Sequence, residues 1–133
     1  MENKTKGKIT ESQIAWTVHN NTYVYALIIT IAHSEGKLTE EFYLTLASEI
    51  SRISKILKIF EAKEIKDLEG CEVLLFFDGD NFLIGVGNTA GAVVPRLWKP
   101  AIFDQRNFIK MAEKVYAAER LIQEIGGSVE YGI

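Results

Sequence analysis

EVLLFFDGDNFLIGVG, residues 72–87, decides the fold. Two apolar, β-prone runs meet at Asp78-Gly79, the dipeptide that most favours a two-residue hairpin turn, so the stretch predicts two antiparallel neighbours in a sheet. The Asp78-Gly79-Asp80 triplet carries too few spaced oxygen donors for a calcium loop, and turn chemistry accounts for it. Gly85, Gly87 and Gly91 follow the second strand in the manner of a phosphate-cradling loop. Val93, Val94 and Pro95 come next where such a loop would open a helix, so the glycines are read as room for close backbone approach.

Upstream, Thr10 to His19 alternates through Ile14, Trp16 and Val18, a strand pattern, while Thr10 could equally cap a short helix. Tyr23 to Ala32 is rich in β-branched and aromatic residues and reads as a buried strand running into a turn at His33-Ser34-Glu35-Gly36, with helix as the alternative. Only a few residues of return strand are expected before Thr39. Thr39 is read as an N-cap, with Glu40 and Glu41 in the first helical turn and Phe42, Leu46, Ile50, Ile53, Leu57 and Phe60 as an apolar stripe. Ile56 and Ile59 widen that stripe beyond one core face, and Arg52, Lys55 and Lys58 are assigned to solvent. Glu61 to Leu68, with Ile65 and Leu68 between charges, reads as a strand with one wet face. Downstream, Asn88 to Phe103 holds both prolines and reads as a short strand and a loop. Asp104 is expected to cap a second helix through Phe108, Met111, Val115, Ala118, Ile122 and Ile125, stopped by Gly126-Gly127.

These elements predict an α+β fold: a single-domain α/β/α sandwich, residues 1–133, with a mostly antiparallel sheet, two long amphipathic helices and a flexible tail at residues 1–8. A chain of 133 residues with 47% hydrophobic and 25% charged residues can build one core unaided. A net charge of −3 argues against a nucleic-acid footprint. The longest apolar run is half a membrane span, and no signal peptide precedes it, so a soluble protein without membrane insertion is expected. Cys71 is the sole cysteine, which excludes an internal disulfide and fits the reducing cytoplasm.

No catalytic constellation is legible. His19 and His33 lack partners at metal-ligand spacing and read as turn residues, and a lone thiol at a strand start reads as packed. No catalytic residue, cofactor or metal is therefore assigned, and the chain is expected not to be an enzyme. Surfaces take their place. Ile56 and Ile59 suit either core or a dimer contact, and Trp98 beside Lys99-Pro100 suits either packing onto the helix or sheet below it or an interface anchor.

The strand and turn from Tyr23 to Leu38, the helix TLASEISRISKILKIF, the strands of KDLEGCEVLLFFDGDNFLIGVG and the C-terminal amphipathic helix resemble, in that order, the roadblock (dynein light chain) domains and the related longin and profilin-like folds. The resemblance covers about two thirds of the chain. It implies a non-catalytic platform that dimerises through its central helix and an adjacent strand and binds small Ras-like GTPases or motor complexes. Ile53, Ile56, Leu57 and Phe60, with the Ile65 strand, would then lie at or near a dimer seam; Ile59 and Trp98, taken from the residue pattern, complete the candidate interface. The expected function is a homodimeric scaffold or regulator. The alternative is a small-ligand sensor with a pocket near residues 85–103.

Overall fold

A computed structural model describes residues 3–19, 21–44, 47–96 and 105–130, with only the backbone given for 47–48, 105–108 and 111. Its strands are β1 Lys4–His19, β2 Thr22–His33, β3 Gly36–Tyr43, β4 Glu72–Phe77, β5 Leu83–Gly87, β6 Ala92–Pro95 and β7 Ser128–Val129. Helix α1, Ala47–Ile59, follows β3, and α2, Gln105–Ile125, follows β6. The strands form one sheet in the order β3-β2-β1-β4-β5-β6-β7, antiparallel except for β6–β7. The fold is thus a mostly antiparallel sheet with two helices, as expected. No helix among the described residues is long and apolar enough to cross a membrane.

The hairpin of residues 72–87 forms with a different turn. Residues 78–82 make a five-residue connection, and the left-handed position falls on Asn81, φ 65°, not on Gly79. Asp78 organises it: its Oδ1 accepts hydrogen bonds from the amides of Asp80 and Phe82 at 2.9 and 3.0 Å. A carboxylate holding two amides stabilises this wider loop over the Asp-Gly turn.

Several expectations are corrected by pairing. From Lys4 onward the expected tail is strand, because Lys4 to Lys8 lie opposite Phe76 to Glu72 of β4. Thr39 caps no helix: it pairs with Thr30, and β3 runs on to Tyr43 because the open edge of β2 offers a full ladder. Glu61 to Leu68 is not a strand. Ile65–Leu68 is a short 3-10 helix, capped at its start by Asp67 Oδ2, which accepts the Lys63 and Glu64 amides, and ended at Glu69.

A bulge at Thr10 sets the faces of β1, since the register with β2 slips between Ile9 and Glu11. One extra residue shifts the alternation by one, so Ile9 and Ser12 both point inward and the even-numbered Ile14, Trp16 and Val18 continue the same face.

The core lies in two clusters. The larger joins Ile53, Ile56 and Ile59 of α1 to Ile9, Leu27, Ile29, Ile31, Phe42, Val73, Leu75, Phe77, Val86 and Val94. The smaller joins Ile122 of α2, with Ala118, Leu121 and Ile125 around it, to Phe76, Ile84 and Val93. Along β4 and β6 these sheet residues alternate with those of the first cluster, and in β5 a register shift at Ile84 turns it away from the face of Leu83 and Val86, so the two helices draw on opposite faces there.

Helix α1 is rotated from the expected phase. Its buried face runs Glu49, Arg52, Ile53, Ile56 and Ile59, and Ile50 is exposed. The reason lies upstream: Phe42 is a strand residue and cannot set the helical phase. Arg52, assigned to solvent by its spacing, is 3% exposed.

Candidate functional site

Burial decides the fate of the residues expected at a dimer seam. Ile53, Ile56 and Ile59 are buried in the larger cluster, Ile56 to 1%, and Leu57, Phe60 and Ile65 pack half-buried against it. These side chains are satisfied within one chain, so Ile56→Glu is expected to unfold the protein rather than to split a dimer. Trp98 lies outside the described residues.

The glycine run is structural. A Cβ on Gly85 would stand 2.8 Å from Val93 Cγ1 and 2.9 Å from Ile122 Cδ1, and one on Gly87 2.9 Å from the Ala92 oxygen. Bare backbone there lets β6 and α2 approach the sheet. The turn that follows is tied to α1: Asn88 Nδ2 donates to the Ile59 oxygen at 2.8 Å, and its Oδ1 accepts from the Ala92 amide at 2.9 Å.

A buried ionic cluster, invisible in the sequence, joins β3, α1 and the end of β6. Arg52 donates to Glu49 Oε2 at 2.7 Å and from Nε to the Pro95 oxygen at 2.9 Å, stands 4.0 Å from Glu40 Oε2, and lies over the Phe42 ring at 4.5 Å. Arg96 Nε comes to 3.2 Å from Glu40 Oε1. That contact is ionic but off the hydrogen-bond line, because neither Glu40 oxygen accepts a hydrogen bond among the described residues. Two carboxylates thus face two guanidinium groups. The cluster draws the β3 edge toward the end of β6, so the sheet rolls around α1.

The rolled sheet leaves a trough of about 830 Å³ lined by β3, the β4–β5 turn and α2. Leu83, Ile84, Ala118 and Leu121 are among its apolar lining, and Glu41, Asp78, Arg96 and Lys114 among its charged groups. The alternative placed a pocket at residues 85–103; of the described part, residues 85–96, Arg96 alone lines the trough, and residues 97–103 lie outside the described residues. Tyr43 borders the trough with its ring 5.1 Å from that of His19. Burial first, then the Glu41 carboxylate beside it, pushes the Tyr43 phenol above its usual range, so it stays protonated and can donate a hydrogen bond.

His33 and Cys71 take local structural roles. His33 Nδ1 accepts the Glu35 amide at 3.3 Å, as a turn residue would. Burial, with Asp67 adding to it, raises the Cys71 thiol and leaves it a poor nucleophile. No group of three or more His, Cys, Asp or Glu able to hold a metal occurs among the described residues.

The outer half of the β1–β2 hairpin stands apart. Ile14, Trp16 and Val18 lie opposite Leu27, Tyr25 and Tyr23, which puts all six side chains on the face that carries α1. Leu27 is buried, but Trp16 is 66% and Tyr23 75% exposed, and Ile14, Val18 and Tyr25 are exposed too. The Trp16 and Tyr25 rings lean together with centroids 5.0 Å apart. Five large apolar side chains in one exposed strip exceed the scattered surface hydrophobics of an ordinary monomer. The alternation of Ile14, Trp16 and Val18 was readable; their exposure was not, since alternation alone does not say which face is covered.

No family model matches the chain, no curated protein is significantly similar to it, and no solved structure matches it at significance.

Proposed function

We propose that the protein is a non-catalytic scaffold or regulator that works as a homodimer, with the outer β1–β2 hairpin as its protein-binding arm. One observation carries this reading: the contiguous exposed strip of Ile14, Trp16, Val18, Tyr23 and Tyr25. Exposed aromatic clusters of this kind mark interaction surfaces, because leaving them wet costs free energy that a partner's contact recovers. The proposal takes the fold as a single-domain α/β/α sandwich, supported by α1 and α2 drawing on opposite faces of β4, β5 and β6. It takes the cytoplasm as the compartment, supported by the single reduced cysteine. A small Ras-like GTPase as further partner enters on the resemblance to roadblock domains alone. Sedimentation equilibrium tests the reading: a dimer is expected at micromolar concentration, and a clean monomer would sink it.

The trough favours a second reading, a small-ligand sensor. Its apolar floor and charged rim suit a molecule with one apolar face and a few polar groups. A thermal-shift screen with metabolites and nucleotides distinguishes the two, because a ligand bound only by the native state raises Tm.

A further inference from the structure

We propose that the arm is an edge-to-edge joint: two copies of this chain pair β1 to β1 antiparallel about a two-fold axis through Trp16. This rests on the dimeric reading above and adds the edge, the register and the residues.

The edge is open along a defined length. β1 is covered on its second side by β4 from Lys4 to Lys8. Ile9 exchanges backbone hydrogen bonds there with Cys71 and Gly70. Ser12 closes the covered part, its amide donating to Glu69 Oε2 at 3.1 Å and its Oγ to the Ile65 oxygen at 2.7 Å. From Gln13 to His19 no described residue pairs along that side. The Ser12 amide points away from β2, so with a period of two the N–H and C=O groups of Ile14, Trp16 and Val18 face the open edge.

The same seven residues, QIAWTVH, contain no Lys, Arg, Asp, Glu or Pro. Solitary edge strands usually carry such residues to block pairing with other strands. Here the edge is unprotected, and the face beside it is the exposed apolar strip.

Self-complementarity identifies the occupant as a second copy. The centre of the open stretch 13–19 is residue 16, so a two-fold axis there uses the whole edge, between the short 3-10 helix at one end and the hairpin turn at the other. Trp16 then faces its own copy, and Ile14 faces Val18 twice. Three facing pairs exchange about six backbone hydrogen bonds. On the opposite face Ala15 meets Thr17 and Gln13 meets His19, so no like charges oppose each other. An axis perpendicular to the sheet makes the two apolar strips continuous. Trp16, Ile14 and Val18 of the two copies meet side by side across the seam, and Tyr23 and Tyr25, on β2, flank it one strand further out.

Cysteine cross-linking of the full chain in a Cys71→Ser background tests the register. Trp16→Cys is expected to form disulfide-linked dimers under mild oxidation, since facing hydrogen-bonded residues have Cα atoms about 5.5 Å apart. Ile14→Cys alone is expected not to cross-link, its copies being offset by four residues, about 14 Å. An equimolar mixture of Ile14→Cys and Val18→Cys, which keeps Trp16, is expected to give the mixed dimer. Trp16→Glu is expected to sediment as a monomer with its Tm and circular dichroism intact, because the side chain is exposed. A dimer that survives Trp16→Glu, self-cross-linking of Ile14→Cys, or failure of the Ile14→Cys and Val18→Cys mixture overturns this joint while leaving the dimeric reading in place. A monomeric parent removes both.

Discussion

Removing Arg52 tests whether the buried ionic cluster holds the rolled sheet to α1. Arg52→Ala deletes the 2.7 Å bond to Glu49, the 2.9 Å bond to the Pro95 oxygen and the guanidinium over Phe42. It takes the buried guanidinium away from Glu40 and Glu49, which are 1% and 0% exposed, while Arg96 meets Glu40 from a partly exposed position. Breaking a buried pair from one side costs about 3–5 kcal/mol, because the remaining charge is desolvated and unmatched. Against a typical total of about 5–15 kcal/mol, that removes about a fifth or more of the stability and lowers Tm by roughly 10–20 °C. Urea unfolding followed by circular dichroism measures it, and the m-value shows whether the change lies in stability alone. The double variant Arg52→Met, Glu49→Leu separates the pair from its desolvation: replacing both partners by apolar side chains should recover most of the loss. A loss below about 1 kcal/mol for Arg52→Ala, or a double variant as unstable as the single, would refute the argument.

Gly85→Ala should cost about 1–3 kcal/mol, since its Cβ would meet Val93 and Ile122 inside 3 Å, whereas Gly79→Ala, with nothing within 4 Å, should leave the urea midpoint unchanged. Equal midpoints for the two would count against the close approach of β6 and α2. Glu69 predicts a pH dependence. The Ser12 amide, followed by the Lys66 ammonium, holds its carboxyl below the usual 4.5. A depressed folded-state value means that the unfolded chain binds the proton more readily as pH falls, so the contribution is present above pH 4.5 and is lost as pH drops through the folded value. The stability difference between the parent and Glu69→Gln should therefore narrow on acidification, and a difference that stays constant from pH 7 to pH 3 would argue against the Ser12 contact.

The residues that were legible are those whose neighbours in sequence set their structure. EVLLFF and LIGVG pair as their β propensity required, although through a wider turn than Asp78-Gly79 suggested, Tyr23 to Ala32 is a strand, and the periodicity through Val115, Ala118, Ile122 and Ile125 with glycine after it is a helix. The failures share a cause. KLTEEFY looked like a cap and a first helical turn because Glu40 broke the apolar alternation, yet Glu40 points inward to arginines 12 and 56 positions away along the chain. Arg52 looked like a solvent residue for the same reason.

Local pattern thus determined that this chain makes an antiparallel sheet with two helices, since hydrophobic period and turn chemistry act over a few residues. Tertiary contacts decided the rest. The bulge at Thr10, the phase of α1, the pairing of Glu40 with Arg52 and the wet face of Trp16 each depend on segments far apart in the chain, and no local spacing encodes which of two equivalent faces another segment will cover.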